Sequence, residues 1–203
     1  MVARQRAAPP SPPVSKGERR DGFAFRAGRV SLDLPATLAG RLKDTTQELL
    51  QTPKDLGRWL IAAGLAAQVQ EPTAEELAQA RELREALHRL ALARARGENF
   101  SARDRSILNR WAAEPPPAPQ LGPRGLFWAG ADIRGLLVTV ARDGAELLGG
   151  ELAERLRTCE QRDCGLLFVD TSRSGLRRWC SMSGCGNKAK VAEFRRRQRQ
   201  DAR

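Results

Sequence analysis

Between Phe23 and Leu156 apolar residues recur every three or four positions, and outside that stretch the rhythm fades. Such spacing lays a hydrophobic stripe along one face of a helix. Leu38, Leu42, Thr45 and Leu49 predict a first helix. Thr52-Pro53 reads as an N-cap with proline at the first helical position, and Leu56, Trp59, Leu60 and Ala63 mark the buried face that follows. Thr73 and Glu76 form a capping box. Leu77, Ala80, Leu83, Leu87 and Leu90 then carry a stripe to Arg96, where Gly97 closes it. Ser101–Trp111 predicts a shorter helix. Pro119–Leu121 and Leu126–Trp128, separated by Gly122-Pro123-Arg124-Gly125, predict a β-hairpin. From Ala131 to Arg157 helical spacing returns, with Gly149-Gly150 as its weak point. Trp59, Trp111 and Trp128 are expected to pack the helical core.

Residues 1–20 follow no such pattern. Ala7–Val14 reads AAPPSPPV and leads into SKGERR, too polar and proline-rich to offset its ordering entropy, so a disordered basic tail is expected there. That tail has no apolar run of about 7–15 residues, and no secretory signal is expected. The longest apolar stretches, Trp59–Ala67 and Leu136–Ala141, fall well short of the roughly 20 residues that span a bilayer. With 41% hydrophobic and 29% charged residues the chain reads as soluble, packed and cytoplasmic, with no membrane partner.

Charge divides the chain further. Its net charge is +11, yet residues 21–154 sum to −1, while residues 1–20 carry +4 and residues 155–203 carry +8. A near-neutral body thus ends in a strongly basic module. Such a block is either a solvated face or a contact for phosphate.

All four cysteines sit in that module, as Cys159-x4-Cys164, fifteen residues, then Cys180-x4-Cys185. A disulfide framework suits exported chains, and no export signal is expected here. Two equal pairs of thiols in one short segment fit a tetrahedral four-thiolate site, with zinc favoured over iron. Four thiolates leave no open position, so one structural Zn2+ is expected. Leu166–Asp170 reads as a strand, Thr171–Gly175 as a turn, Leu176–Cys180 as a returning strand, and about Cys185–Arg199 as a helix. The predicted architecture is mainly α with a small β component. It joins a helix-rich domain at 21–155 to a treble-clef-like zinc finger at 156–203, built as knuckle, β-hairpin and helix.

The run Arg157-Thr158-Cys159, then Cys164-Gly165-Leu166-Leu167-Phe168-Val169-Asp170-Thr171-Ser172-Arg173, Arg177-Arg178-Trp179-Cys180-Ser181-Met182 and Cys185-Gly186-Asn187-Lys188 closely resembles the CGNR zinc-finger family. Residues 23–155 are similar, more weakly, to the ABATE domain that precedes this finger in the family. That similarity rests on Leu32-Asp33-Leu34, Asp55-Leu56, Trp59-Leu60 and Arg81–Leu87. The resemblance implies a bacterial, stress-linked transcription regulator, nucleoid-associated where its finger holds DNA. Two positions depart from the pattern. Lys188 replaces the final arginine and loses its planar fork, and Leu32-Asp33-Leu34-Pro35-Ala36-Thr37 lacks the asparagine of the usual Leu-Asp-x-x-Asn-Thr.

The expected nucleic-acid contacts are Arg173, Arg177 and Arg178 by the hairpin, Asn187, Lys188 and Lys190 at the start of the helix, and Arg195, Arg196 and Arg197 further along. Phe168 and Trp179 are expected against the zinc rather than on bases. His88 has no second histidine to work with and reads as a surface or half-buried residue. Asp33 reads as an N-cap. The chain has no GxxxxGK[ST], GxGxxG or HExxH run, and no enzyme is expected. The leading function is a double-stranded-DNA-binding regulator whose helical domain senses a small molecule or partner, in a pocket near Trp128. An RNA- or ribosome-associated module is the alternative, and the sequence leaves the oligomeric state open.

Overall fold

The structure, a computed structural model, describes residues 18–123 and 125–201. The tail expected at 1–20 lies outside the described residues up to position 17. Its last three residues, Glu18–Arg20, form strand β1, which pairs antiparallel with β2, Phe23–Phe25. Asp21 and Gly22 make the turn at φ 46° and 82°. This Asp-Gly turn, with both residues left-handed, matches the twist of a two-residue hairpin. Phe23 and Phe25 point into the core, and the Phe25 ring lies 6.4 Å from that of Trp59, which is fully buried.

A short helix α1, Val30–Asp33, follows with all four residues buried. The helix predicted through Leu38, Leu42, Thr45 and Leu49 does not form. Instead β3, Leu38–Ala39, pairs with β4, Gln47–Glu48, across a loop in which Leu42 is 58% exposed. The register is fixed from outside. Arg84 takes the Glu48 carboxylate at 2.7 Å, and the N–H of Leu49 reaches the carbonyl of Thr37 at 2.9 Å.

The helical body is closer to its predicted form. Helix α2, Pro53–Ala62, opens on Thr52, whose N–H donates to Asp55 at 2.8 Å. Helix α3, Ala74–Arg96, carries the full reciprocal capping box between Thr73 and Glu76. Helix α4 spans Ala102–Ala112, and β5, Ala118–Gly122, pairs with β6, Gly125–Ala129. That hairpin leaves Leu121 90% exposed and Trp128 only half-buried, whereas Trp59 and Trp111 sit in the core. Helix α5, Ile133–Gly149, stops at the glycine pair, and the residues predicted to prolong it form a 3-10 turn, Glu151–Arg155, and strand β7, Leu156–Thr158. Helices α3, α4 and α5 pack on one another, with α1 against α3 and α5. Asp143 ties α5 to α1 by accepting from Arg29 Nε at 2.7 Å and the N–H of Ser31 at 3.0 Å.

β7 pairs with β8, Leu167–Val169, so the first cysteine pair lies in the loop between these strands. Leu176–Cys180 returns without joining the sheet, unlike the predicted hairpin. A π-turn, Met182–Gly186, then leads into α6, Asn187–Asp201. The mainly helical fold with small antiparallel hairpins stands as expected. One buried cluster runs from Phe23, Trp59 and Leu83 through Leu156, Phe168 and Val169 to the cysteines. Among the described residues no helix is long and apolar enough to cross a membrane.

Candidate metal centre and basic finger

Each cysteine is presented by a short turn whose hydrogen bonds the sequence supplies. In the first knuckle the N–H of Cys159 donates to Leu166 O at 2.8 Å and that of Cys164 to Gln161 O at 2.9 Å. On the far side Ser181 accepts from the N–H of Gly184 at 3.1 Å, which curls the chain so that Cys185 faces Cys180. The N–H of Cys180 also points at Cys159 Sγ, 3.4 Å away.

The four sulfurs lie within 4.8 Å of one another. Cys164 Sγ and Cys180 Sγ are 3.8 Å apart, and Cys180 Sγ and Cys185 Sγ 3.6 Å. A zinc tetrahedron with bonds of about 2.3 Å has sulfur–sulfur edges of about 3.8 Å. Cys159, Cys164, Cys180 and Cys185 are therefore positioned to bind one metal ion, and soft thiolates in a closed set of four suit a structural Zn2+. Four sulfurs packed this closely cannot all be thiolates unless a positive charge compensates them. S–H groups of Cys164 and Cys180 aimed at Cys159 hold its thiol down to about 2, while the nearby Cys159 sulfur pushes Cys164 up to about 12. Cys180 is driven upward by both neighbours and by burial. A dication lets all four ionise together.

Asp170, which the sequence did not single out, organises the loop between the knuckles. It is fully buried and accepts from the N–H groups of Ser172 at 2.9 Å and Arg177 at 2.8 Å. Phe168 is fully buried beneath the centre and Trp179 half-buried beside it.

The expected nucleic-acid residues separate into three groups. Arg177 faces inward: Nε donates to Trp179 O at 2.9 Å, Nη2 to Cys180 O, and the guanidinium lies 4.5 Å over Phe168. Its donors are committed to the carbonyls flanking a zinc ligand. Arg178 pairs with Glu160 at 2.5 Å and covers Trp179, while Arg196 and Arg197 share Glu193. Arg173, Asn187, Lys188, Lys190 and Arg195 are exposed, the last four on α6. Val191 and Phe194, 41% and 63% exposed, lie on the same helix.

In the body, Asp33 ends α1 rather than capping it, and its carboxylate gathers the N–H groups of Arg26 and Ala27 at 3.0 Å each. His88 is half-buried, as expected. Burial, and then the charge of Arg41, press its pKa down to about 4. A cleft of about 250 Å³ lies where residues 24–49 and His88 meet the first knuckle of the finger.

Compared with curated proteins, the chain matches none. Residues 28–151 match the ABATE family model, described as "Putative stress-induced transcription regulator", and residues 155–198 match the CGNR zinc finger. Both are regulator or zinc-finger families rather than enzyme families. The first match takes in α1 to α5, and the second begins just before β7 and reaches into α6. The chain belongs to the ABATE family and carries a CGNR zinc finger behind that domain.

Proposed function

We propose that the protein is a cytoplasmic transcription regulator whose finger binds double-stranded DNA and whose helical domain senses a small molecule or partner. The observation that carries this reading is the pairing of a closed sulfur site with an exposed cationic helix. The four cysteines leave no coordination position for substrate, so the metal's work is to hold α6 in place. On that helix Lys188, Lys190 and Arg195 have no carboxylate partner among the described residues, and Arg173 in the preceding turn has none either. Unpaired surface cations of this density suit phosphate, and Asn187 and Lys188 at the helix start are residue types that read bases. Helix-rich domain and finger divide near residue 155 by role, the first sensing and the second binding.

The test is selection of bound duplex from a random DNA pool by the zinc-loaded chain, with structured RNA at matched salt as competitor. Enrichment of a DNA motif that RNA does not displace is the expected result. Preferential binding of structured RNA overturns it in favour of an RNA-associated module.

A further inference from the structure

The cleft between the body and the first knuckle has a specific chemical character. Its lining includes four cations, Arg19, Arg41, Lys43 and Lys188, against a single carboxylate, Asp163. Arg41 is committed, since Nη1 and Nη2 hold Glu85 at 2.8 and 2.9 Å. Lys43 and Lys188 are exposed and have no ion-pair partner among the described residues. Deeper in, Leu32, Pro35, Leu38 and Leu166 supply apolar wall. His88 lines the same space, and its ring nitrogens make no hydrogen bond among the described residues. Held neutral at pH 7 by burial, it offers one N–H donor and one acceptor.

Apolar walls with a few convergent polar groups are the usual make-up of a small-molecule site. The excess of positive charge selects an anion, and the walls select one with an apolar body. With a volume of about 250 Å³ the cleft suits a small molecule with a short chain. We propose that this cleft binds a small organic carboxylate with a short apolar chain, held by Lys43 and Lys188, and that its binding weakens DNA binding by the finger. The coupling half rests on the function proposed above; the binding half does not. Lys188 belongs both to the cleft and to the first turn of α6, so a carboxylate that takes its ammonium removes one cation from the DNA-facing set. Cys164 and Cys185 also line the cleft, so an occupant there lies against the turns that orient α6.

Hexanoate, with eight non-hydrogen atoms, is the probe, and the zinc-loaded full chain is the protein. Amide NMR should show saturable shifts at residues 36–43 and 161–167. Hexanol and inorganic phosphate, each lacking half of the required chemistry, should bind at least tenfold more weakly. Lys43→Gln should weaken hexanoate by a similar factor while leaving ligand-free DNA affinity unchanged. Saturating hexanoate should lower DNA affinity about fivefold or more, the low end of ordinary coupling between sites. Absence of these shifts, or equal binding of hexanol or phosphate, overturns the site whether or not the chain binds DNA. Hexanoate binding that leaves measurable DNA affinity unchanged overturns the coupling alone. A chain that binds hexanoate but no DNA refutes the proposed regulator and its coupling while the site stands.

Discussion

The N–H of Val169 donates to the carbonyl of Ala27 at 2.8 Å, so strand β8 of the finger is hydrogen-bonded to the loop after the first hairpin of the body. Gly28, next along the loop, is required by its backbone rather than by space: its φ is +87°, while a Cβ there would sit in ordinary contact, 3.7 Å from the Cβ and the carbonyl oxygen of Val169. Helix α3 packs on β7 and β8 from the other side, and Leu156, Phe168 and Val169 are buried in the same cluster as the body's leucines. A finger of this size has too little core of its own. Here it borrows one.

Limited proteolysis of the zinc-loaded chain should therefore leave the link near residue 155 intact, with Leu156 and Ala153 buried on either side of it. A charge-based reading alone expects cutting there. Gly28→Ala should destabilise the whole chain by about 1–2 kcal/mol, because φ of +87° strains any residue with a Cβ. The urea midpoint checks this. A drop confined to the finger's signals would mean that body and finger unfold separately.

Zinc should be present at about one equivalent per chain, and Cys164→Ser should lose it. Structural zinc contributes about 10–16 kcal/mol of apparent binding energy in small finger peptides at neutral pH, so residues 157–197 should lose order. Because Phe168 is part of the shared core, the melting temperature of the helical body should fall as well, while most far-UV helical signal persists below the transition. Metal analysis and circular dichroism read these two effects. Full metal retention in Cys164→Ser refutes the four-thiolate site.

How much of this was legible in the sequence depends on whether the signal was local. Thr73 and Glu76 sit three residues apart and satisfy each other, so their helix start is written within four positions. The cysteines likewise announce a metal centre locally, as two equal pairs within one short segment. The stripe through Leu38, Leu42, Thr45 and Leu49 misleads because its fate is decided by Arg84, 36 residues from Glu48 along the chain. Asp21-Gly22 between Arg20 and Phe23 did carry a hairpin signal, but the charged run before it disguised the strand as tail. The inward turn of Arg177 was illegible for a different reason. Its partners are carbonyls at Trp179 and Cys180, and backbone acceptors have no sequence signature.

Arg84 is the buried cation of that long-range link. Its side chain is 5% exposed and donates to Glu48 at 2.7 Å and Glu85 at 2.8 Å. Arg84→Met fits the volume but leaves Glu48 and Glu85 short of a partner, although Arg81 and Arg41 remain near them. Breaking a buried pair costs about 3–5 kcal/mol, and the partial exposure of both carboxylates places this substitution nearer the lower figure. Urea unfolding measures the loss. A change below about 0.5 kcal/mol, the ordinary range for surface positions, would show that the hairpin holds its register without the arginine.

His88 gives the chain an acid-side sensitivity with a definite sign. Its folded pKa of about 4 lies below the ordinary 6.5, so the unfolded chain binds more protons between those values. Stability is then greatest above pH 6.5 and falls as pH drops toward 4. Glu85, held down to about 2 against burial by Arg41 and Arg84, loses its contribution in the same direction, from about pH 4.5 downward. Arg41, Glu85, Arg89 and Arg84 are the charged groups that act on His88. His88→Gln should remove on the order of 2 kcal/mol of the stability lost between pH 7 and pH 4.5, after discounting for solvent near the half-buried ring. Zinc release at low pH affects both proteins and cancels in the comparison. Identical pH profiles for the two would show that His88 titrates normally.

The last prediction concerns how α6 would hold DNA. With Arg177 committed inside the finger, the exposed cations of the expected set without a carboxylate partner are Arg173, Lys188, Lys190 and Arg195, with Arg199 further along α6. They are joined by whichever of Arg178, Arg196 and Arg197 leave their carboxylates for a phosphate. About four to five phosphate contacts correspond to a slope of log affinity against log salt of roughly −4 on duplex DNA. Arg196→Ala with Arg197→Ala should weaken binding to every sequence alike. The slope should flatten by less than two units, because Glu193 already neutralises part of that charge in the free protein. Glu193→Gln should do the reverse, raising affinity and steepening the slope by freeing both guanidinium groups. Asn187→Ala should instead change which bases are preferred, since the start of a recognition helix points its side chains at base edges. An unchanged base preference in Asn187→Ala would place the first turn of α6 outside the major groove. A slope indistinguishable from zero would remove nucleic acid from the account of this helix altogether and leave it a solvated basic face.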